Sequence, residues 1–286
     1  MVGAHAGSFS ARSGAVPCLR IVRHPQSTSH AAGRTCPGSR RLIRVEHVTR
    51  TYGQLVAVDD VSFSVDRNEI VGFVGPNGAG KSTMLKMLST YLAPTRGTIC
   101  IGESNVEQDP VAVREQIGYL PGDTPLYGDM VVGDWLRFVA GAHGLTDAAA
   151  ETAVNTVVET CDVTPVLAKR IRECSTGFRQ RVGLASALVH DPAVLLLDEP
   201  THGFDPLQVI AFRDLLRQLK TDRAVLFSTH IIADVEAVSD RVLMIDNGRL
   251  LADGTVSELC AEAQLPETSL ENLFAHLVDT AGVDDV

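Results

Sequence analysis

The sequence contains no apolar run long enough to cross a bilayer, although 45% of its 286 residues are hydrophobic. Uncharged apolar stretches such as AVLLL at residues 193–197 are among the longest, whereas a membrane-spanning helix needs about 20 apolar residues. If the protein works at a membrane, another chain must therefore do the spanning.

Cysteine is scarce, and its spacing does not favour a metal site. The six cysteines form no C-x-x-C pair, and no histidine lies at the spacing of a zinc site. We therefore predict reduced cytosolic thiols, several of them filling the core.

Acidic residues are absent from the first 45 residues, which carry seven arginines, yet the whole chain has a net charge of −10. The body of the protein is therefore strongly acidic, which argues against nucleic acid as its main partner, because phosphate binding needs a basic face. Residues 1–41 lack periodicity and are rich in Gly, Ser, Ala, Pro and Arg. We expect a disordered extension or a start codon placed too far upstream; no amphipathic helix supports a transit peptide.

From residue 42 onward the pattern predicts an α/β domain over 42–263. Short apolar strands alternate with helices, which indicates a largely parallel sheet covered on both faces, and we expect an antiparallel portion as well. Helices are predicted over 81–92 and 177–189, and a helical subdomain is inserted at about 122–190. Asn247-Gly248 favours a tight hairpin. The tail, 264–286, contains a plausible short amphipathic helix.

A glycine-rich segment, GPNGAGKST, matches G-x-x-x-x-G-K-[ST] and lies between a buried strand and a helix start. Its glycines allow successive backbone N–H groups to point at phosphate oxygens, and the helix dipole adds positive potential. Lys81 is expected to reach the β- and γ-phosphates and Ser82 to bind Mg²⁺. The candidate nucleotide-binding residues are Gly75, Pro76, Asn77, Gly78, Ala79, Gly80, Lys81, Ser82 and Thr83.

Two carboxylates, Asp198 and Glu199, follow the apolar strand AVLLL. Carboxylates at the carboxyl end of a parallel strand face the ligand crevice of such sheets. Asp198 is expected to hold Mg²⁺, and Glu199 to orient and deprotonate a water that attacks the γ-phosphate. His230 ends another strand and could touch the γ-phosphate from the same edge, although a histidine in that position is more often structural.

The order GPNGAGKST, CSTGF, LLLDEP, HGFD and STH resembles the ATP-binding subunit of ABC transporters, and most of all the exporter-type subunits that pair with a separate membrane permease. The resemblance covers about residues 42–262. It implies a P-loop NTPase fold of ABC type, ATP and Mg²⁺ as cofactors, and ATP hydrolysis coupled to transport. It also implies a dimer of ATPase subunits, held by the permease at the cytoplasmic face of the cell membrane.

The resemblance assigns further residues. Tyr52 matches the aromatic that stacks on adenine, and Ser175 and Gly177 match the signature motif, which binds the γ-phosphate of an ATP held by the other subunit. Asp205 matches a loop that crosses between subunits, while Glu199 and His230 match the catalytic carboxylate and the switch histidine. Two simpler readings stay open: Tyr52 as a strand-edge aromatic, and Asp205 as a helix N-cap before a proline.

Three features depart from the family pattern. The signature reads CSTGF rather than a sequence close to LSGGQ, and Asn68 stands where a turn glycine is usual, which asparagine tolerates. Gly122 stands where the family places Gln or Glu to complete the Mg²⁺ shell. Our hypothesis is that Asp123 or water substitutes for that side chain.

Three alternative functions follow from the residues. A soluble ABC ATPase acting in translation or on DNA would usually carry two such units or a long coiled coil, and neither is present. A P-loop GTPase would need an Asn-Lys-x-Asp motif, which is absent. A catalytically weak subunit beside an active partner is kept open by Gly122.

Overall fold

The computed structural model describes residues 41–262 and 270–281 of the chain, and side chains to residue 277. The predicted N-terminal extension therefore lies almost entirely outside the described residues. Ten strands are described: β1 Arg41–Tyr52, β2 Leu55–Asp66, β3 Glu69–Val74, β4 Arg96–Ile101, β5 Ser104–Asn105, β6 Ile117–Leu120, β7 Val194–Asp198, β8 Ala224–Thr229, β9 Arg241–Asp246 and β10 Arg249–Gly254.

The described helices lie between and after these strands. They are α1 Lys81–Leu88, α2 Pro110–Gln116, α3 Val132–Ala142, α4 Asp147–Thr160, α5 Thr176–Leu188, α6 Pro206–Leu219, α7 Ile232–Val238, α8 Val256–Glu262 and α9 Leu270–Ala281. Two short 3₁₀ helices, Thr164–Val166 and Ile171–Glu173, precede α5. Among these described helices, none combines the length and apolar character that crossing a membrane requires.

Two sheets form the frame. The larger has the order β10-β9-β3-β8-β7-β6 and is parallel except at the β9–β10 pair, and the smaller, antiparallel sheet has the order β2-β1-β4-β5. The prediction of a mostly parallel sheet with an antiparallel portion is confirmed. The carboxyl ends of β3, β7 and β8 lie side by side, so the segments that follow them meet at one edge.

The apolar strand β7 shows why the sequence has uninterrupted hydrophobic runs. Val194 and Leu196 pack on the side of α1 and the small sheet, whereas Leu195 and Leu197 pack on the side of α5, α6 and α7. A strand buried on both faces needs apolar residues at every position. Between β6 and β7 all the described regular elements are helices, apart from an isolated bridge between Val131 and Arg170.

The local predictions had mixed outcomes. The helix predicted over 81–92 ends at Leu88, because Thr90 adopts a left-handed conformation with φ 62° that ends the helical path. Helix α5 lies one residue earlier than predicted. Asn247 and Gly248 form the β9–β10 hairpin with φ values of 45° and 78°, and Asn68 has φ 63°, the conformation for which asparagine was expected to be tolerated.

Three described cysteines bear on the prediction of reduced thiols in the core. Cys161, Cys174 and Cys260 are free and buried, in agreement with thiols that fill the core.

Candidate nucleotide-binding and hydrolysis site

The phosphate loop, residues 75–83, joins β3 to the first turn of α1 with backbone geometry that needs glycine. A Cβ on Gly75 would lie 2.2 Å from the carbonyl oxygen of Ile245, so only glycine fits against β9. Gly78 has φ 85°, which glycine adopts without strain. No side chain caps the start of α1, so its first N–H groups remain available for an anion.

Lys81 is buried at the base of this loop. Its ammonium donates hydrogen bonds to the carbonyl oxygens of Gly75 at 2.6 Å and Pro76 at 3.0 Å, and its Nζ lies 4.0 Å from Glu199 Oε1. Burial lowers the pKa of Lys81, and the carboxylates of Glu199 and Asp198 oppose that shift. Lys81 thus places a positive charge between the carbonyl groups of the phosphate loop and the carboxylates at the end of β7.

Asp198 accepts hydrogen bonds from hydroxyl groups on two neighbouring elements. Its Oδ1 accepts hydrogen bonds from Ser82 Oγ at 3.1 Å and from Ser228 Oγ at 2.5 Å. A hydroxyl and a carboxylate oxygen side by side are the hard oxygen ligands that Mg²⁺ prefers, so Ser82 and Asp198 fit this ion. Ser228 belongs to the STH motif, but the sequence assigned it no role, because a serine inside a buried strand resembles any other strand residue.

Glu199 is brought to the same edge in a strained conformation. Its φ is 48°, which is uncommon for a residue other than glycine, and its N–H is anchored on Ser228 O at 3.1 Å. Its Oε2 lies 2.9 Å from His230 Nδ1, so the two side chains share a hydrogen bond at the ends of β7 and β8. The structure therefore places Lys81, Asp198, Glu199 and His230 around one point.

A buried network, also missed by the sequence reading, supports the segment after Glu199. Thr201 donates a hydrogen bond to Asp234 Oδ2 at 2.8 Å, and Arg213 binds Asp234 Oδ1 through Nε and Nη2 at 3.2 and 2.6 Å. Asp234 is 4% exposed, so its charge needs this pairing. The network connects α6 and α7 to the loop that follows β7.

The segment at Gly122 faces Asp198. A Cβ on Gly122 would lie 3.6 Å from Asp198 O and 3.8 Å from Asp198 Oδ2, which are its nearest contacts among the described residues, its chain neighbours aside. A side chain at this position would therefore have room and would point toward the carboxylate. Asp123 is exposed, and no hydrogen bond joins it to Ser82 or Asp198 among the described residues.

Tyr52 lies at the end of the β1–β2 hairpin, near the phosphate loop. A Cβ on Gly80 would lie 2.5 Å from the carbonyl oxygen of Ala57 in β2, and Leu55, two residues earlier, pairs with Tyr52. Ala57 and Leu55 lie about 7 Å apart along β2, because they are two strand residues apart. Tyr52 therefore lies roughly one nucleoside length from the phosphate loop. The residue is 43% exposed, which is compatible with a base stacking on its ring.

Ser175, Gly177 and Asp205 form a second group, at the starts of α5 and α6. Ser175 caps α5 by accepting a hydrogen bond from Phe178 N at 3.3 Å. Asp205 caps α6, accepting from Gln208 N at 2.9 Å, while Asp205 N donates to Gln208 Oε1 at 3.2 Å. This is the N-cap role that the sequence left open. A Cβ on Gly177 would lie 2.6 Å from Gln208 Oε1, so the two helix starts touch.

A family model and the sequences of known proteins point to the same family. Residues 58–202 match the family described as ABC transporter. The chain is 38% identical over 224 residues to the uncharacterized ABC transporter ATP-binding protein YxlF of Bacillus subtilis, covering 78% of this chain and 74% of that protein. It is 37% identical over 219 residues to the doxorubicin resistance ATP-binding protein DrrA of Mycobacterium tuberculosis, covering 75% of this chain and 66% of that protein.

A solved structure described as the ATP binding subunit of an ABC transporter superposes with a TM-score of 0.77 at 32% identity, covering 83% of this chain and 99% of that one. The fold predicted from the sequence is thereby confirmed. The edge that carries Lys81, Asp198 and Glu199 belongs to the part of the chain that the family match covers. The chain belongs to the ATP-binding subunits of ABC transporters, which are ATPases.

Proposed function

We propose that this chain is the ATP-hydrolysing subunit of an exporter, and that it drives a separate membrane permease. The observation that carries the proposal is the arrangement at the end of β7. Glu199 Oε2 lies 2.9 Å from His230 Nδ1, and Glu199 Oε1 lies 4.0 Å from Lys81 Nζ, beside the Ser82–Asp198 pair. A base, a cation and an oxygen-ligand pair at one point are what γ-phosphate hydrolysis requires.

In this proposal the phosphate loop and α1 bind the triphosphate through backbone N–H groups, while Lys81 neutralises the β- and γ-phosphates. Ser82 and Asp198 would hold Mg²⁺, which supplies charge neutralisation when bound. Tyr52 stacks on the base. These groups fix the phosphates before the reaction, so little reorganisation is needed during it.

Glu199 then acts on the attacking water. One of its oxygens is held by His230, and the carboxylate accepts the water proton while the water oxygen bonds to the γ-phosphorus and the bond to the β-phosphate oxygen breaks. His230 keeps Glu199 oriented and can contact the γ-phosphate from the β8 side. Lys81, at 4.0 Å from Glu199, stabilises the negative charge that spreads over the phosphate oxygens.

The start of α5 is assigned to a second copy of the chain. Ser175 and Thr176 are exposed at the start of α5, and the phosphate loop already serves the nucleotide bound by this chain. We propose that two copies pair head to tail, so that Ser175 and Gly177 of each approach the γ-phosphate on the other and Asp205 lies between them. ATP then closes the dimer more tightly than ADP does, and this differential affinity is what can drive a conformational cycle.

An exposed aromatic group near Gly122 supports a permease partner. Tyr127 and Phe138 are 64% and 57% exposed, and their ring centroids lie 5.5 and 5.8 Å from that of Trp135. Adjacent exposed aromatic rings are typical of a protein contact. Export is favoured by the resistance function in the name of DrrA. The protein would then lie at the cytoplasmic face of the membrane, held there by the permease.

The test compares Glu199→Gln with the wild type. The amide cannot accept the water proton, so hydrolysis should fall by about 10²- to 10⁴-fold while MgATP affinity stays within a few-fold. Steady-state phosphate release and equilibrium binding measure the two quantities. Hydrolysis at the wild-type rate in the Glu199→Gln protein would contradict the assigned role, and Asp191→Asn, a surface carboxylate paired with Arg223, is the matched control.

A further inference from the structure

Arg50 lies against the ring of Tyr52. Its guanidinium carbon is 4.7 Å from the ring centroid, a cation–π distance. A guanidinium stacked on an aromatic ring covers one of its two faces, yet Tyr52 remains 43% exposed. A base that stacks on this ring would therefore have to use the opposite face.

Hydrogen bonding alone does not explain where Arg50 lies. Its Nη1 donates to Ala93 O at 2.8 Å, but its Nε is buried with no hydrogen-bond partner. Within residues 41–262 and 270–281, Arg50 has no carboxylate within ion-pair distance. A buried N–H without an acceptor is unfavourable, so contact with the ring is the main compensation for this placement.

The hydrogen bond to Ala93 also fixes Arg50 to the segment after α1. The guanidinium is thus anchored at one end and stacked at the other, so it restricts the rotation of the Tyr52 side chain. A ring that is already fixed loses less conformational entropy when a ligand stacks on it.

We infer that Arg50 is a positioning residue for the nucleobase: it holds the Tyr52 ring from one side and leaves the other face ready for the base. This inference rests on the proposed role of Tyr52 in the nucleotide site. It predicts that Arg50 contributes to the affinity for ligands that have a base, and not to the affinity for the phosphates alone.

The experiment measures two dissociation constants by titration calorimetry, one for MgATP and one for magnesium tripolyphosphate, which has the phosphates and no base. In Arg50→Met, which keeps the apolar stem and removes the cation, MgATP binding should weaken about three- to tenfold, the size expected for a partly buried cation–π contact. Tripolyphosphate binding should stay within twofold. Arg50→Lys, whose ammonium can also lie on the ring, should recover at least half of the loss.

Arg67→Met is the matched control. Arg67 also donates to a backbone carbonyl, Asp222 O at 2.7 Å, and is exposed, but it has no aromatic contact among those described. Both dissociation constants should be unchanged in this variant. If Arg50→Met fails to fold, Arg50→Gln is measured instead, and the loss of MgATP affinity is again compared with the loss of tripolyphosphate affinity.

The inference is overturned if Arg50→Met weakens both ligands equally or weakens neither. Tyr52→Ala separates this result from a failure of the proposed site. The preference for MgATP is the dissociation constant for magnesium tripolyphosphate divided by that for MgATP. If Tyr52→Ala lowers this preference and Arg50→Met does not, then Tyr52 binds the base without help from Arg50. If Tyr52→Ala leaves the preference unchanged, the assigned role of Tyr52 is wrong and the inference about Arg50 is overturned with it.

Discussion

The starts of α1 and α5 are both N-termini suited to an anion, but this chain surrounds them very differently. At α1, Lys81 is buried and held by two carbonyl oxygens, and the Ser82–Asp198 pair and Glu199 lie beside it. At α5, Ser175 and Thr176 are exposed and the nearest acidic cap, Asp205, serves α6. The first helix start has a cation, a base and oxygen ligands beside it in the same chain. The second offers donors with no proposed catalytic group beside them, which is the arrangement expected of a surface that serves another copy.

The largest expected effect is at the start of α1. Lys81→Ala removes the one buried cation described at the loop, so MgATP affinity should fall about 100-fold, the loss expected when charge-assisted hydrogen bonds disappear. Equilibrium binding measures this. Lys86→Ala, on the same helix and facing away from the loop, should bind MgATP with the wild-type affinity. An unchanged affinity in Lys81→Ala would show that the buried lysine does not distinguish the start of α1 from the start of α5.

The next effect is at the second site. Gly177→Asp places a carboxylate at the start of α5, where it would repel an incoming phosphate, so hydrolysis should fall by about 100-fold. MgATP affinity should stay within about threefold, because the phosphate loop is untouched. Phosphate release and equilibrium binding are compared in one preparation.

Because the new side chain would meet Gln208, thermal unfolding checks that α6 stays in place. Ser175→Ala, a smaller change at the same site, should reduce hydrolysis in the same direction. Full activity in a folded Gly177→Asp protein would show that the start of α5 is not used.

A smaller effect is expected beside Asp198. Gly122→Gln restores an amide where there is room for it, so hydrolysis should rise by about two- to fivefold at limiting Mg²⁺, since one more oxygen can join the metal shell. The rate as a function of Mg²⁺ concentration measures this. Asp123→Ala tests the other half of the hypothesis: a rate equal to wild type would remove Asp123 from the site.

The smallest effect concerns the far end of α5. His190 stacks on His143 with ring centroids 3.7 Å apart, and burial lowers the pKa of both imidazoles. At pH values between the lowered pKa values of the folded state and the ordinary histidine pKa of about 6.5, the unfolded chain binds more protons than the folded one. The free energy of unfolding therefore falls as the pH drops below about 6.5. Urea titrations at pH 7.5 and 5.5 should show a smaller decrease for His190→Leu than for the wild type.

The motif residues could be predicted because each lies in a short segment with a local signal. Lys81 and Asp198 follow apolar strands, and parallel strands end at the same edge, so their proximity was predictable from order alone. The Thr201–Asp234–Arg213 network and the Arg50–Tyr52 contact could not be found in this way. They join residues by side-chain geometry, which leaves no periodic trace in the sequence. The end of α1 at Leu88 was missed because Thr90 carries no glycine-like signal for a left-handed turn.

The strained backbone at Glu199 has an evolutionary consequence. A glycine at this position would relieve the cost of φ 48°, which for a non-glycine residue is about 1 kcal/mol or more. Selection for stability alone would thus favour the loss of this carboxylate, and a lineage drifting toward a catalytically silent subunit would have an easy route to a more stable fold. This chain has not taken that route, which favours a subunit that hydrolyses ATP over one that only accompanies an active partner.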